Sequence, residues 1–248
     1  MKSPVGKFEL NSFATADELA RTVAEAWLNE IETTNRAGKP QCVALSGGRI
    51  TQKFFASIVE QARARAASFA RVHFFWADER CVPPDDPESN FKMASDLLFT
   101  PLKIPATQIH RLRGEESPNI AVKIAESELR QIAPSGPDGH PVLDLIFLGM
   151  GEDGHVASLF PEASAEIVQW STPFLAVENS PKPPPQRISL SYAAIAAAKQ
   201  VWVLISGAGK EKALRESLDS SEETTKTPLG RVIQLRPKTR IFTEIRLN

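Results

Sequence analysis

Short apolar runs alternate with stretches of helical periodicity along almost the whole chain, and this alternation limits the fold more than any other feature. "TADELARTVAEAWLNEIETTNRAG" opens at Thr15 with Glu18 three residues on, the pattern of a capping box. Leu19, Val23, Ala26, Trp27 and Ile31 then recur at helical spacing, and Gly38 offers a stop. "QCVALS" reads as a buried strand, Gln52 to about Ala67 as a helix, and "RVHFFWAD" as a second strand. "NFKMASDLLF" and "NIAVKIAESELRQIA" read as helices. "VLDLIFLG" is a third strand, apolar through most of its length as a parallel strand covered on both faces is. "RISLS", "QVWVLIS" and "RIFTEI" predict further strands, with helices at "YAAIAAA" and "GKEKALRES". Such alternation predicts a mostly parallel sheet flanked by helices. "ENSPKPPPQR" and "SLDSSEETTKTPLG" read as surface loops, not linkers, so the expectation is a single α/β domain over residues 1–248.

Composition removes several function classes. A net charge of −1 argues against nucleic-acid binding. "MKSPVGKFELNSF" has no apolar core of signal-peptide length, and no run approaches a membrane span. Cys42 and Cys81 lack CxxC spacing and cannot make a disulfide framework, so inert, half-buried thiols in a reduced cytoplasm are expected. A monomer is the expected state.

In open α/β sheets, ligands bind beyond the carboxyl ends of the strands. Four strands end there in polar or glycine-rich loops: Ser46-Gly47-Gly48-Arg49, Asp78-Glu79-Arg80, the segment "LGMGEDGHVASLFP" with Asp153 and His155, and Gly207-Ala208-Gly209-Lys210. One such loop is ordinary turn chemistry; four in register predict one assembled site. Glycines at a helix start let backbone N–H groups approach an anion. A lysine at a helix N-terminus opposes the dipole, a conflict that an anion would resolve and that a solvated side chain would also tolerate. Neither loop is a Walker A sequence. Lys182 and Arg187 flank a proline run that restricts where a basic side chain sits, and Arg187 could fork onto a phosphate. His155, framed by glycines and close to Asp153, suits a general base. No His or Cys cluster accompanies it, so no metal is expected.

"LGMGEDGHVASLFP" resembles the GxDGHxASLFP signature of 6-phosphogluconolactonases, and "ADERCVPPDDPESNFKMA" that family's DERxVP…SN block. "PKPPPQRISLSY" and "VWVLISGAGKEKAL" resemble its later blocks, in the same order from about Val43 to Leu214. The resemblance implies a metal- and cofactor-free hydrolase of the pentose phosphate pathway that opens 6-phospho-D-glucono-1,5-lactone. It also implies the fold shared with glucosamine-6-phosphate deaminases. His155 would then be the base, Asp153 its orienting group, and Arg80 a stabiliser of developing oxygen charge. Ser46, Gly47, Gly48, Arg187 and Lys210 would hold the phosphate, with Lys182 a weaker candidate, and Asp78 and Asn90 would meet sugar hydroxyls or fix the loop. The first loop departs from the common SGGSTP: with Arg49-Ile50-Thr51 the glycines survive but a hydroxyl and a proline are missing, and Arg49 either adds charge to the anion site or points to solvent. A deaminase or other sugar-phosphate isomerase, or a non-catalytic sugar-phosphate sensor, is the alternative; "ASLFP" and "DERCVP" favour the lactonase.

Overall fold

The computed structural model describes residues 8–136, 139–219, 227–236 and 238–247. The extreme N-terminus and the centre of the polar loop read over 217–230 lie outside the described residues. In chain order the strands are β1 (Phe8–Ser12), β2 (Gln41–Leu45), β3 (Val72–Trp76), β4 (Asp78–Arg80), β5 (Leu145–Gly149), β6 (Phe174–Val177), β7 (Arg187–Leu190), β8 (Gln200–Ile205) and β9 (Thr239–Thr243). The α-helices are α1 (Ala16–Arg36), α2 (Arg49–Arg65), α3 (Asn90–Ala94), α4 (Thr100–Leu102), α5 (Pro118–Ile132), α6 (Ala165–Val168), α7 (Tyr192–Ala197), α8 (Glu211–Leu218) and α9 (Pro228–Leu235).

Six strands form an all-parallel sheet in the order β1-β9-β8-β5-β2-β3. The chain runs from β2 outward to β3, then returns to the other side of β2 as β5 and continues to β8 and β9. The sheet's topological switch therefore lies between β2 and β5, where a crevice opens beyond the strand ends. Every residue of β2 is buried, which is why "QCVAL" carries no polar alternation.

The sequence predicts "RISLS" as part of the parallel sheet, and here the structure differs. β7 sits between β4 and β6 in a separate antiparallel sheet of three strands. β1, β4 and β6 are five, three and four residues long, too short for the period-2 pattern to stand out. The helix expected over 90–99 passes through a π-helical turn, Ser95–Phe99, between α3 and α4. α9 occupies part of the supposed polar loop: Thr227 caps it by accepting from Gly230 N at 3.1 Å, and Pro228 stands at its first turn.

Trp27 on α1 anchors the core. Its ring lies 5.1 Å from Phe147 and 6.0 Å from Phe54, edge-on to the first, and its indole N–H donates to Gln41 Oε1 at 3.2 Å. Such pairs contribute about 0.5–1.5 kcal/mol each beyond area burial. They clamp α1 and α2 onto β5 and so hold the start of α2 at the crevice. Cys42 is fully buried and Cys81 half-buried; burial pushes their thiols up to about 12 and about 11, so both are neutral at pH 7.

Candidate active site

The turn after β5 is built around one imidazole. Gly154 has φ +81° and turns the chain so that Gly151 N donates to His155 O at 2.9 Å. A side chain at Gly151 would overlap the His155 ring, so the ring rests directly on glycine backbone. Asp153 Oδ1 lies 2.5 Å from His155 Nδ1, and Phe160 closes the ring's flank with centroids 4.8 Å apart. A carboxylate only accepts, so Nδ1 carries the proton and Nε2 keeps its lone pair. Burial lowers the His155 pKa, and the Asp153 hydrogen bond and charge pull it back in part. Burial is the largest single influence on the Asp153 carboxyl and raises it, but the hydrogen bonds and charge of His155 together with the Lys182 charge outweigh that, and the net direction is down. The pair at neutral pH is a carboxylate and a neutral imidazole.

The second wall comes from β4 and β7, which place Arg80 directly opposite Arg187. Asp78 accepts from Ser158 Oγ at 2.7 Å, and Asn90 Nδ2 donates to Asp78 O at 2.9 Å. Asn90 Oδ1 occupies the space that a Cβ on Gly47 would need, so Gly47 is glycine to make room for Asn90. Arg80 Nη1 donates to Glu88 O at 2.6 Å, which fixes the guanidinium along the cavity wall.

The third wall carries the helix starts. Gly48, at φ +110°, leads into α2 with no side-chain cap, and Lys210 leads into α8 likewise. The first-turn N–H groups are therefore left for another acceptor. Burial lowers the Lys210 ammonium, and neighbouring Arg49 lowers it further.

One cavity is lined by Ser46, Gly47, Gly48, Arg49, Asp78, Arg80, Asn90, His155, Arg187 and Lys210, so these sequence candidates are brought together. Asp153 stands behind His155 instead of on the wall. Lys182 is not on the wall either: its ammonium lies 3.8 Å from Asp153 Oδ1 and acts on the dyad's charge. Two further expectations change. Ser46 donates its hydroxyl to Phe147 O at 2.8 Å, tying β2 to β5, so its O–H is not free for a ligand. Arg187, 4% exposed, is not held by the proline run but holds it: Nε and Nη2 donate to the carbonyls of Pro184, Lys182 and Pro183 at 3.0–3.1 Å. Nη1 stays toward the cavity, 3.5 Å from Ser158 Oγ.

Glu79 is a positioning residue that the sequence reading passed over. It is 2% exposed, and its carboxylate accepts from the backbone N–H of Arg80, Asn90 and Phe91 at 2.7–2.8 Å and from Ser89 Oγ at 3.1 Å. Burial pushes it up to about 7 against those donors. It clips β4 to the start of α3, and with it Arg80 to Asn90. Glu244 does the same for the loop after β8, accepting from Ser206 Oγ at 2.8 Å and Gly207 N at 2.9 Å. A charged residue inside or just after a strand signals such a clip, but its partners are 11 and 37 residues distant. Among the described residues no three His, Cys, Asp or Glu side chains converge so as to hold a metal ion. Among the described residues no helix is long and apolar enough to cross a membrane.

This arrangement, an oriented imidazole facing a crevice with cations and open helix starts, suits activation of water against an anionic substrate. Comparison with known proteins agrees. The family described as glucosamine-6-phosphate isomerases/6-phosphogluconolactonase matches residues 14–241. The 6-phosphogluconolactonase of Haemophilus influenzae is 35% identical over 222 residues, 89% of this chain and 90% of that one. The 6-phosphogluconolactonase structure from Trypanosoma brucei superposes with a TM-score of 0.83 at 25% identity, covering 96% of each chain. A monomeric glucosamine-6-phosphate deaminase, 17% identical, covers 95% of this chain and 96% of its own with a TM-score of 0.78 and shares the fold. The chain thus belongs to the glucosamine-6-phosphate isomerase/6-phosphogluconolactonase family.

Proposed function

We propose that this chain hydrolyses 6-phospho-D-glucono-1,5-lactone to 6-phospho-D-gluconate, the lactone-opening step of the oxidative pentose phosphate pathway, as a cytoplasmic monomer without metal or cofactor. The observation that carries the reading is the His155–Asp153 dyad on a cavity that also gathers Arg80, Arg187 and Lys210. Nε2 of His155 takes a proton from water as the water oxygen attacks C1 of the lactone. The carbonyl electrons move onto oxygen, and Arg80 stabilises that charge. When the tetrahedral intermediate collapses, the bond from C1 to the ring oxygen breaks. The ring oxygen takes the proton back from the imidazolium, and the acid product ionises. Asp153 holds the tautomer and stabilises the imidazolium.

The open starts of α2 and α8, with Lys210 and Nη1 of Arg187, hold the phosphate and so set the distance from it to C1. Asp78 and Asn90 meet the sugar hydroxyls. Sugar-phosphate isomerisation would need a ring-opened substrate, and the family blocks around His155 and Arg80 follow the lactonase pattern. The test is consumption of the phosphorylated lactone by purified protein, corrected for spontaneous opening. Turnover that stops with His155→Asn supports the reading; a wild-type rate no greater than the spontaneous one overturns it.

A further inference from the structure

Arg49 is the first residue of α2, is exposed, and lines the cavity. Its guanidinium leans across to the loop after β8, where Nη2 would sit 3.7 Å from a Cβ placed on Gly207. Lys210 stands on the same wall at the start of α8, and the Arg49 charge adds to burial in lowering its ammonium. Among the described residues neither side chain has a hydrogen-bond or ion-pair partner. The acids near Lys210 are Glu152 and Glu244, and Oε1 of Glu244 is committed to Ser206 and Gly207. Both helix starts lack side-chain caps, and both helix dipoles oppose the cations placed there. Two like charges and two positive helix ends on one wall favour a ligand with more than one negative charge, which adds to the partial compensation from Glu152 and Glu244.

We propose that Arg49 is a specificity-determining residue that forms, with Lys210, a two-cation clamp on the dianionic end of the ligand. The inference rests on the phosphate-binding end of the function proposed above and deepens it. A bare hydroxyl at this position would contact a phosphate without distinguishing its charge states. A guanidinium beside an ammonium favours the dianion over the monoanion. A phosphate ester loses its second proton near pH 6. With the clamp in place, the bound ester keeps its second charge to lower pH than the free ester does.

The experiment is calorimetric titration of wild type, Arg49→Ser and Arg49→Lys with inorganic phosphate and with 6-phosphogluconate, between pH 5 and 8 and at two salt concentrations. No turnover is required. Arg49→Ser is expected to weaken both anions at pH 7.5 by roughly 5- to 20-fold, with a shallower salt dependence, while Arg49→Lys retains most of the affinity. The ratio of kcat/KM for phosphorylated over plain lactone should fall by the same factor in Arg49→Ser. Binding by Arg49→Ser within twofold of wild type overturns the proposal, and so does equal weakening by Lys and Ser. Phosphate binding that depends on Arg49 in a protein that opens no lactone would sink the function and leave this inference standing. Lactone opening with Arg49-independent binding would do the reverse.

Discussion

The loops after β5 and after β8 leave adjacent strands at the same edge of the sheet, and both are rich in glycine, yet they are finished to different degrees. The His155 loop is complete as it stands. Gly151 lies under the imidazole, Phe160 beside it and Asp153 behind it, so the base is oriented before any substrate arrives. The Lys210 loop is braced from below by Glu244 on Ser206 and Gly207, and its cation faces the cavity together with Arg49. Chemistry needs a preorganised group, because reorganisation during the reaction raises the barrier. Anchoring needs unsatisfied charge, because the ligand supplies the missing partner.

Substitutions on the two loops should therefore separate. The largest effect belongs to His155. His155→Asn should lower kcat by about 10²–10⁴-fold on phosphorylated and plain lactones alike while 6-phosphogluconate still binds. A near wild-type rate would remove the base from the mechanism. Next come the cations. Arg187→Ala and Lys210→Ala should each cost roughly 1.5–3 kcal/mol in kcat/KM for the phosphorylated lactone, and far less for the plain one. Thermal unfolding should then divide them. Arg187→Ala strands the carbonyls of Lys182, Pro183 and Pro184 and lowers Tm, while Lys210→Ala leaves it near wild type. A plain-to-phosphorylated ratio that neither mutation moves would dissolve the distinction between the loops.

Glu79 tests the bracing itself. Glu79→Ala leaves three backbone N–H groups and Ser89 without their acceptor, and should destabilise the fold by about 2–4 kcal/mol and lower kcat/KM about tenfold or more. Glu79→Gln keeps one acceptor oxygen and should recover part of both losses. A fully active Glu79→Ala would mean that the clip between Arg80 and Asn90 is dispensable.

The pH dependence is subtler. Because burial lowers His155, the acidic limb of kcat/KM should fall below the ordinary imidazole value near 6.5, activity being lost as pH drops through the folded pKa and His155 protonates. Asp153 is the main group that raises His155, ahead of Asp78. Asp153→Asn should therefore move that limb further down and lower the plateau rate; a limb that moves up contradicts the assignment. The smallest effect is a contrast in amide exchange. Adding 6-phosphogluconate should slow exchange at the first turns of α2 and α8 more than at Gly151–His155, because only the former gain a partner. Equal protection in both loops would show that the His155 loop, too, is completed by ligand.

The sequence alone determined β2, β3, β5, β8 and β9 as strands of a mostly parallel sheet and the edge that carries the chemistry. Helix periodicity with local caps such as Thr15, apolar runs such as "QCVAL", and glycines that only a tight turn requires are short-range signals, legible without knowing what packs against them. His155 and Asp153 are likewise close in sequence, so their pairing was visible. Tertiary structure alone decided whatever depends on distant partners. β4, β6 and β7 form a second sheet in which Arg187 pairs with Val177 close by in the chain on one side and with Arg80, far upstream, on the other. Lys182 and Arg187 look alike beside the proline run, yet one reaches Asp153 and the other ties down three carbonyls while keeping one nitrogen toward the cavity. Ser46 looks like a ligand donor until the Phe147 carbonyl accepts its hydrogen bond, and Glu79 looks like one more charged residue until four donors converge on it. Residue type states what a side chain can do. Which partner claims its hydrogen bonds is set by long-range packing, because a buried donor or acceptor must be satisfied by whichever group the fold brings within reach.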